Sequence, residues 1–290
     1  MEAFIQQVIS GLVSGAIYAS LALSLVMIFR SSGHLNFAQG EMAMFTTFIC
    51  LSLIGWGLPY WVAVLVCLVL AFLIGSVLWS FVVKPIANVN LLSPIALLIG
   101  VMMIFNSLAG FIWGHDTQNF PSPFEFFSGW GSIYIADHDL GTILVILVVT
   151  IIVQLFFQFT KVGLAMRAAA ENSTSSYLVG IPVGRMLSVG WGLATVLGTL
   201  AGVLVAPIIY VDPNMMLSAL IYGFAAALLG GITSPLGAVF GGFIVGVAEN
   251  LIGFYLIGTD IKMSVALILI IVTLLFKPAG IFGKEAAWRV

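Results

Sequence analysis

Long apolar runs separated by short polar breaks dominate the chain, and they predict helices of membrane-spanning length. Candidate spans cover residues 8–29, 40–58, 60–83, 91–113, 140–159, 186–210, 217–231, 236–257 and 261–276. A transmembrane helix needs about 20 apolar residues. Segment 217–231 is short and 40–58 follows a polar break, so the pattern gives eight to ten spans. The runs are continuous and do not alternate with period two, which excludes a transmembrane β-barrel. The expected fold is all-α, a polytopic membrane helical bundle, read as one transmembrane domain over residues 1–290.

The polar breaks choose an orientation. With the N-terminus outside and nine spans threaded in turn, Arg30, Lys84, Lys161, Arg167, Arg185, Lys277, Lys284 and Arg289 fall inside, and only Lys262 falls outside. Cytoplasmic loops carry the excess of Lys and Arg, so the expected topology is N-terminus outside and C-terminus inside. The break at residues 114–139 agrees with this. It holds Asp116, Glu125, Asp137 and Asp139 but no Lys or Arg, and Pro121, Pro123 and several aromatics predict an external loop packed as a lid. No basic n-region precedes the first apolar run, which is too long for a signal-peptide core and reads as an uncleaved first span.

Composition then limits function. The chain is 62% hydrophobic and 7% charged, with a mean hydropathy of +1.22, where a soluble domain averages about 25% charged residues. A net charge of −2 with no basic patch excludes nucleic-acid binding. Cys50 and Cys67 lie inside apolar runs and read as buried small hydrophobes. His34, His115 and His138 are too scattered to hold a metal. The chain has no phosphate loop, no H-E-x-x-H pair and no span with serial arginines. No catalytic site and no cofactor are expected, and the chain carries no energy source of its own.

Small residues recur four apart at Gly11/Gly15, Gly198/Gly202, Gly237/Gly241 and Gly242/Gly246. This spacing lets transmembrane helices approach closely, either within the chain or at a second subunit. Each half has a Gly/Ala-rich span, a polar interruption (31–39 and 211–214) and a shorter Gly/Ala-rich span, a weak internal repeat of the kind that carries broken helices in transporters.

Two constellations put polar groups near membrane depth. Residues 31–41 hold Asn36, Gln39 and Glu41 between two glycines. They form either a broken helix near a translocation path or a cytoplasmic turn with Glu41 in the first turn of the next helix. Glu249 and Asn250 lie midway along an apolar span. A charge there costs roughly 2.5–3.5 kcal/mol on insertion scales, so Glu249 serves function, a subunit contact or a structural hydrogen bond. The turn 230–237 has no catalytic use. Taken alone, Glu41 and Glu249 are also compatible with a stand-alone secondary transporter or channel.

Residues 161–185 form a basic, polar insert expected inside. Strong helix formers run from Val162 to Glu171. Asn172 or Ser173 can cap a second short helix, Gly180 suits its C′ position and Pro182 stops it. Ala168, Ala169 and Ala170 give a thin surface for docking, and Arg167 and Glu171 are spaced to pair.

Five motifs along the whole chain carry a resemblance. They are G-L-V-S-G-A-I-Y-A-S-L-A-L-S-L-V-M-I-F (11–29), H-L-N-F-A-Q-G-E (34–41), G-L-A-M-R-A-A-A-E-N (163–172) with L-V-G-I (178–181), A-L-L-G-G-I-T-S-P-L-G-A-V-F-G-G (227–242) and K-P-A-G-I-F-G (277–283). In these the chain resembles the LivH-type permease subunits of branched-chain amino-acid ABC importers. Gln39 stands where that family often has His. The resemblance implies a permease in a bacterial or archaeal cytoplasmic (inner) membrane. Its implied partners are a second permease subunit, two cytoplasmic ATPase subunits that bind the ATP, and an extracytoplasmic substrate-binding protein. It maps the family's coupling helix onto Arg167–Gly180. The family also includes importers of urea and short amides.

Overall fold

A computed structural model describes residues 2–86, 92–124, 137–258 and 261–283. Lys284, Arg289 and Glu125 lie outside the described residues, as do residues 125–136 of the expected lid. The described residues form an all-α membrane protein. Every expected span is a helix: α1 (Glu2–Ser32), α2 (Gln39–Gly55), α3 (Tyr60–Val77), α4 (Leu92–Trp113), α5 (Asp137–Phe159), α8 (Val183–Ile209), α9 (Met215–Gly230), α10 (Pro235–Ile252) and α11 (Lys262–Phe276). The insert supplies α6 (Lys161–Glu171) and α7 (Ser173–Leu178). Six of the helices are long and apolar enough to cross a membrane, while α9 and α11 are shorter apolar helices. Two helices end in π-helical turns, Leu78–Val83 after α3 and Gly253–Ile257 after α10.

The chain folds as two compact units that interleave in sequence. The first contains residues 1–26, 124–154 and 221–290, and the second 27–123 and 155–220. Helices α1, α5 and α9 contribute residues to both.

Glycine lets the backbones of the first unit meet. A methyl group added at Gly11 would lie 2.7 Å from Val247 Cα, and one at Gly15 2.8 Å from Phe243 Cα. Gly242 and Gly246 face the same helix from the other side, so α1 and α10 touch backbone to backbone. Gly241 approaches Gly230 N in the same way and draws α9 onto α10. In a bilayer no hydrophobic force separates helix from lipid, so such close packing supplies the attraction. Gly11, Gly15, Gly242 and Gly246 are thus used for packing inside the chain.

The turn between α9 and α10 is held by the segment after α11. Gly231 (φ 109°) and Gly280 (φ 78°) adopt backbone angles that suit glycine. Ile281 N donates to Leu229 O at 2.8 Å and Phe282 N to Gly230 O at 3.0 Å. Two of the five sequence motifs, distant in the chain, therefore form one knot.

In the second unit, α8 is the central helix, packed against α2 and α3. Trp191 on α8 is fully buried and packs against Trp79 at 5.5 Å. Gly198 and Gly202 make room on α8 for Gln39 and Thr47 of α2. Thr46 Oγ1 and Thr199 Oγ1 share a hydrogen bond of 2.8 Å across the same seam. The outward faces of α3, α4 and α5 are aliphatic and exposed, for example Leu65, Ile104 and Ile151, as lipid-facing helices require.

Candidate functional site: two buried carboxylates and a capped helical insert

The second unit brings the two polar interruptions together. Asn36 starts the local fold: its Oδ1 accepts from Ala38 N at 3.0 Å, closing a turn that launches α2. Asn36 Nδ2 donates to Gln39 Oε1 at 3.2 Å, and Gln39 Nε2 donates to Ala194 O on α8 at 2.8 Å. Both amides are fully buried. This chain of bonds fixes the start of α2 against α8 and leaves Glu41 in the first turn of α2.

Glu41 is buried, and its partner is Asn106 on α4. Asn106 Nδ2 lies 3.3 Å from Glu41 Oε2, 2.8 Å from Pro213 O and 3.3 Å from Asn214 Oδ1. One amide has two hydrogens. Three acceptors therefore compete for two bonds, and Pro213 O has the shortest. Asp212 adds a further carboxylate to this loop, accepting from Asn214 N at 2.7 Å. Asn106 lies roughly 10 Å before the Trp113 end of α4 at 1.5 Å per residue. The start of α2 and the loop before α9 thus converge within the length of α4. The arrangement is rich in acceptors and poor in donors, which suits a guest bearing N–H groups.

Sequence reasoning missed Asn106, Asp212 and Asn214 as site residues. Asn106 had a usable signal, as an amide inside an otherwise apolar run.

Glu249 and Asn250 belong to the first unit. Tyr18 OH donates to Glu249 Oε2 at 2.7 Å, and Tyr18 stacks on Tyr222 with ring centroids 4.6 Å apart. That stack places the Tyr222 ring beside the same cluster. Lys262 Nζ approaches Asn250 Oδ1 at 3.4 Å and supplies a nearby positive charge. Asn250 Nδ2 donates to Gly246 O at 3.0 Å and reaches Ser14 Oγ at 3.5 Å. Groups from α1, α9 and α11 thus surround the Glu249–Asn250 pair.

The insert folds as its sequence predicts. Asn172 caps α7, its side chain accepting from Ser175 N at 2.9 Å. Gly180 has φ 84° after the C-cap Val179, and Pro182 is the N-cap of α8. Thr160 provides an unforeseen cap for α6 through Gly163 N at 2.9 Å. Two expectations are corrected. Arg167 and Glu171 form no ion pair among the described residues, because the Arg167 Nε is buried while Glu171 is exposed at the helix end. Ala169 does not join Ala168 and Ala170 in an outward surface: helical period places it with Gly163 and Met166 on the buried face. The exposed apolar surface lies further on, at Tyr177, Leu178 and Val179.

A family model described as branched-chain amino acid transport system / permease component matches residues 7–274. The chain belongs to this family. It is 30% identical to the high-affinity branched-chain amino acid transport system permease protein LivH of Salmonella typhimurium, over 99% of this chain and 98% of that one. It is also 30% identical to BraD of Pseudomonas aeruginosa, a permease protein of the same description, with the same coverage of each. The fold resembles PsaBC from Streptococcus pneumoniae in complex with Fab, with a TM-score of 0.52, 15% identity, and coverage of 93% of this chain and 91% of that one. As a member of the family, the chain is a multi-pass membrane permease component of a transport system.

Proposed function

We propose that the chain is the transmembrane subunit of an ATP-driven importer for branched-chain amino acids or a related small polar solute. The N-terminus lies outside and the C-terminus inside a bacterial or archaeal cytoplasmic membrane. The chain pairs with a second permease subunit, identical or related, and residues 1–290 act as one transport domain. Two separate ATPase subunits hydrolyse the ATP, and an extracytoplasmic binding protein delivers the solute.

The observation that carries the transport reading is the meeting of both polar interruptions at Asn106. Glu41, Pro213 O and Asn214 offer more acceptor capacity than one amide can fill. A solute bearing an ammonium or amide group supplies the missing donors as it passes. Asn36 and Gln39 hold α2 in position for this role, while Glu249 and Asn250 brace the other unit.

The insert is the ATPase contact. Its capped helices make a rigid lever joined directly to α8, and Tyr177, Leu178 and Val179 present an apolar tip for a groove on the motor. Arg167, Ala168, Ala170, Glu171, Asn172 and Gly180 flank or shape that tip.

The test is co-purification with the ATPases and ATP-dependent uptake of leucine in proteoliposomes. A Leu178→Glu change is expected to lower ATPase association about tenfold or more, since it puts a charge in an apolar contact. Arg167→Glu is expected to reduce it less. Normal assembly of both variants contradicts the docking assignment, and leucine uptake by the chain without ATPases contradicts the importer reading.

A further inference from the structure

Two loops of the second unit, one following α4 and one following α8, pair through their backbones. Gln118 N donates to Val211 O at 2.9 Å, and Val211 N donates to Gln118 O at 2.9 Å. The pair is an isolated antiparallel bridge outside any strand. Each such bond adds little net stability, so the contact holds lightly.

The two loops are anchored differently. On the α4 side the root is fixed. Trp113 Nε1 donates to Ser52 Oγ on α2 at 2.8 Å, and its ring stacks on Phe48 with centroids 5.0 Å apart. Gly114 follows at φ 83°, and Gln118 Nε2 turns back to donate to Trp113 O at 3.3 Å. The α8 side is under strain. Tyr210, the residue next to the bridge, has φ 65° and ψ 168°. That region belongs essentially to glycine, and any other residue persists there only where its surroundings enforce it. The Tyr210 side chain is 51% exposed, so packing of the ring does not enforce it. Val211 does, being fully buried and bonded through both its backbone N–H and its carbonyl.

The bridge also lies two residues from the solute site. Pro213 O accepts from Asn106 Nδ2 at 2.8 Å, the shortest of the three bonds that compete for this amide. Asp212, between Val211 and Pro213, accepts from Asn214 N at 2.7 Å and makes the segment one tight turn. Such a turn moves as a piece, so a shift of Val211 also shifts Pro213 O. Glu41 is only 2% exposed in this structure. A guest therefore reaches it only when a neighbour moves, and the loop that carries Pro213 is the neighbour held most lightly.

We propose that the Gln118–Val211 bridge is the extracytoplasmic latch of the transport path, and that the strained backbone at Tyr210 favours its release. Parting of the two bonds lets Tyr210 relax, draws Pro213 O away from Asn106 and uncovers Glu41 to the arriving solute. The proposal rests on the importer reading, whose orientation puts the Trp113 end of α4 outside.

The test locks the latch in the assembled importer. Residues that exchange both backbone bonds have Cα atoms about 5.5 Å apart, within disulfide range. Gln118→Cys/Val211→Cys is combined with Cys50→Ala and Cys67→Ala, which remove the chain's own buried thiols. The variant is reconstituted in proteoliposomes with the ATPases and the binding protein and oxidised with copper phenanthroline. ATP-driven leucine uptake by wild type tests the importer reading alone. Oxidation of the variant is expected to lower uptake about tenfold or more, as for a lid that cannot open, and dithiothreitol to restore it. Cross-linked importer that keeps the reduced rate overturns the latch and leaves the importer reading intact. So does a pair that fails to cross-link, since the bridge is then absent from the assembly.

Two changes at Tyr210 measure the strain without a cross-link. Tyr210→Ala keeps the Cβ and its strain, and uptake is expected to stay within about twofold of wild type. Tyr210→Gly is at ease at these angles and stabilises the closed latch, so uptake is expected to fall about fivefold below that of Tyr210→Ala. Equal or faster uptake with glycine overturns the proposal, because the strain would then have no part in opening.

Discussion

Glu41 and Glu249 are both carboxylates buried among apolar helices, yet their surroundings differ in kind. Glu249 takes a phenol hydrogen bond of 2.7 Å from Tyr18, which is itself held by the Tyr222 ring stacked on it, and feels the charge of Lys262. Glu41 shares a single amide with two other oxygens, at 3.3 Å. Burying a charge is tolerable only when donors and opposite charge compensate it. Glu249 meets that condition from its own unit and holds α1, α9, α10 and α11 together. Glu41 leaves part of it open. A closed polar cluster in a membrane protein builds structure, and an open one is available to a guest.

The largest expected effect comes from opening the closed cluster. Glu249→Ala strands the Tyr18 phenol and removes the charge that faces Lys262, and losing one partner of a buried charged set costs about 3–5 kcal/mol. The variant is expected to accumulate poorly and to melt at lower temperature in detergent. Wild-type stability would show that Glu249 braces nothing.

Glu41→Gln tests the open cluster. It keeps the size of the side chain and removes its charge. Transport is expected to fall by roughly 30–100-fold, the equivalent of about 2–3 kcal/mol for a lost charged hydrogen bond. Membrane abundance should stay normal. Uptake within twofold of wild type would erase the distinction between the two carboxylates.

Tyr18→Phe is the finer measurement. It deletes one donor and keeps the ring stacked on Tyr222, with an expected cost of about 1–2 kcal/mol in stability and unchanged transport per folded molecule. A selective loss of transport would move Glu249 into the pathway. The smallest effect is expected for Asn172→Ala, which removes the cap of α7 at about 1 kcal/mol. It should weaken coupling between ATP hydrolysis and uptake while sparing both carboxylate clusters.

The helices were readable because apolar length is a one-dimensional property, and each of the nine runs became a helix. The caps of the insert were readable for the same reason: Asn172, Gly180 and Pro182 act on neighbours a few residues away. What the sequence hid is contact at long range. Tyr18 and Tyr222 count as apolar in a hydropathy scan, and nothing local shows that they enclose a carboxylate 231 residues beyond Tyr18. The pairing of Arg167 with Glu171 was inferred from spacing, but the Arg167 Nε is buried while Glu171 is exposed. The π-helical turn Leu78–Val83 carries no Pro or Gly that marks it, so the bond from Lys84 N to Trp79 O that closes it could not be read. Asn106 was the missed opportunity, since a lone amide in a lipid-crossing helix needs a partner.

The knot between the α9–α10 turn and the segment after α11 has a consequence for biosynthesis. The backbone donors that close it, Ile281 N and Phe282 N, leave the ribosome after everything they fasten. The α9–α10 hairpin can enter the bilayer early, but its turn stays unlatched until α11 has been threaded and residues 277–283 have followed. Assembly of the first unit is therefore gated by translation of residues 277–283, and a chain halted before residue 277 would present the membrane's quality-control proteases with an open turn.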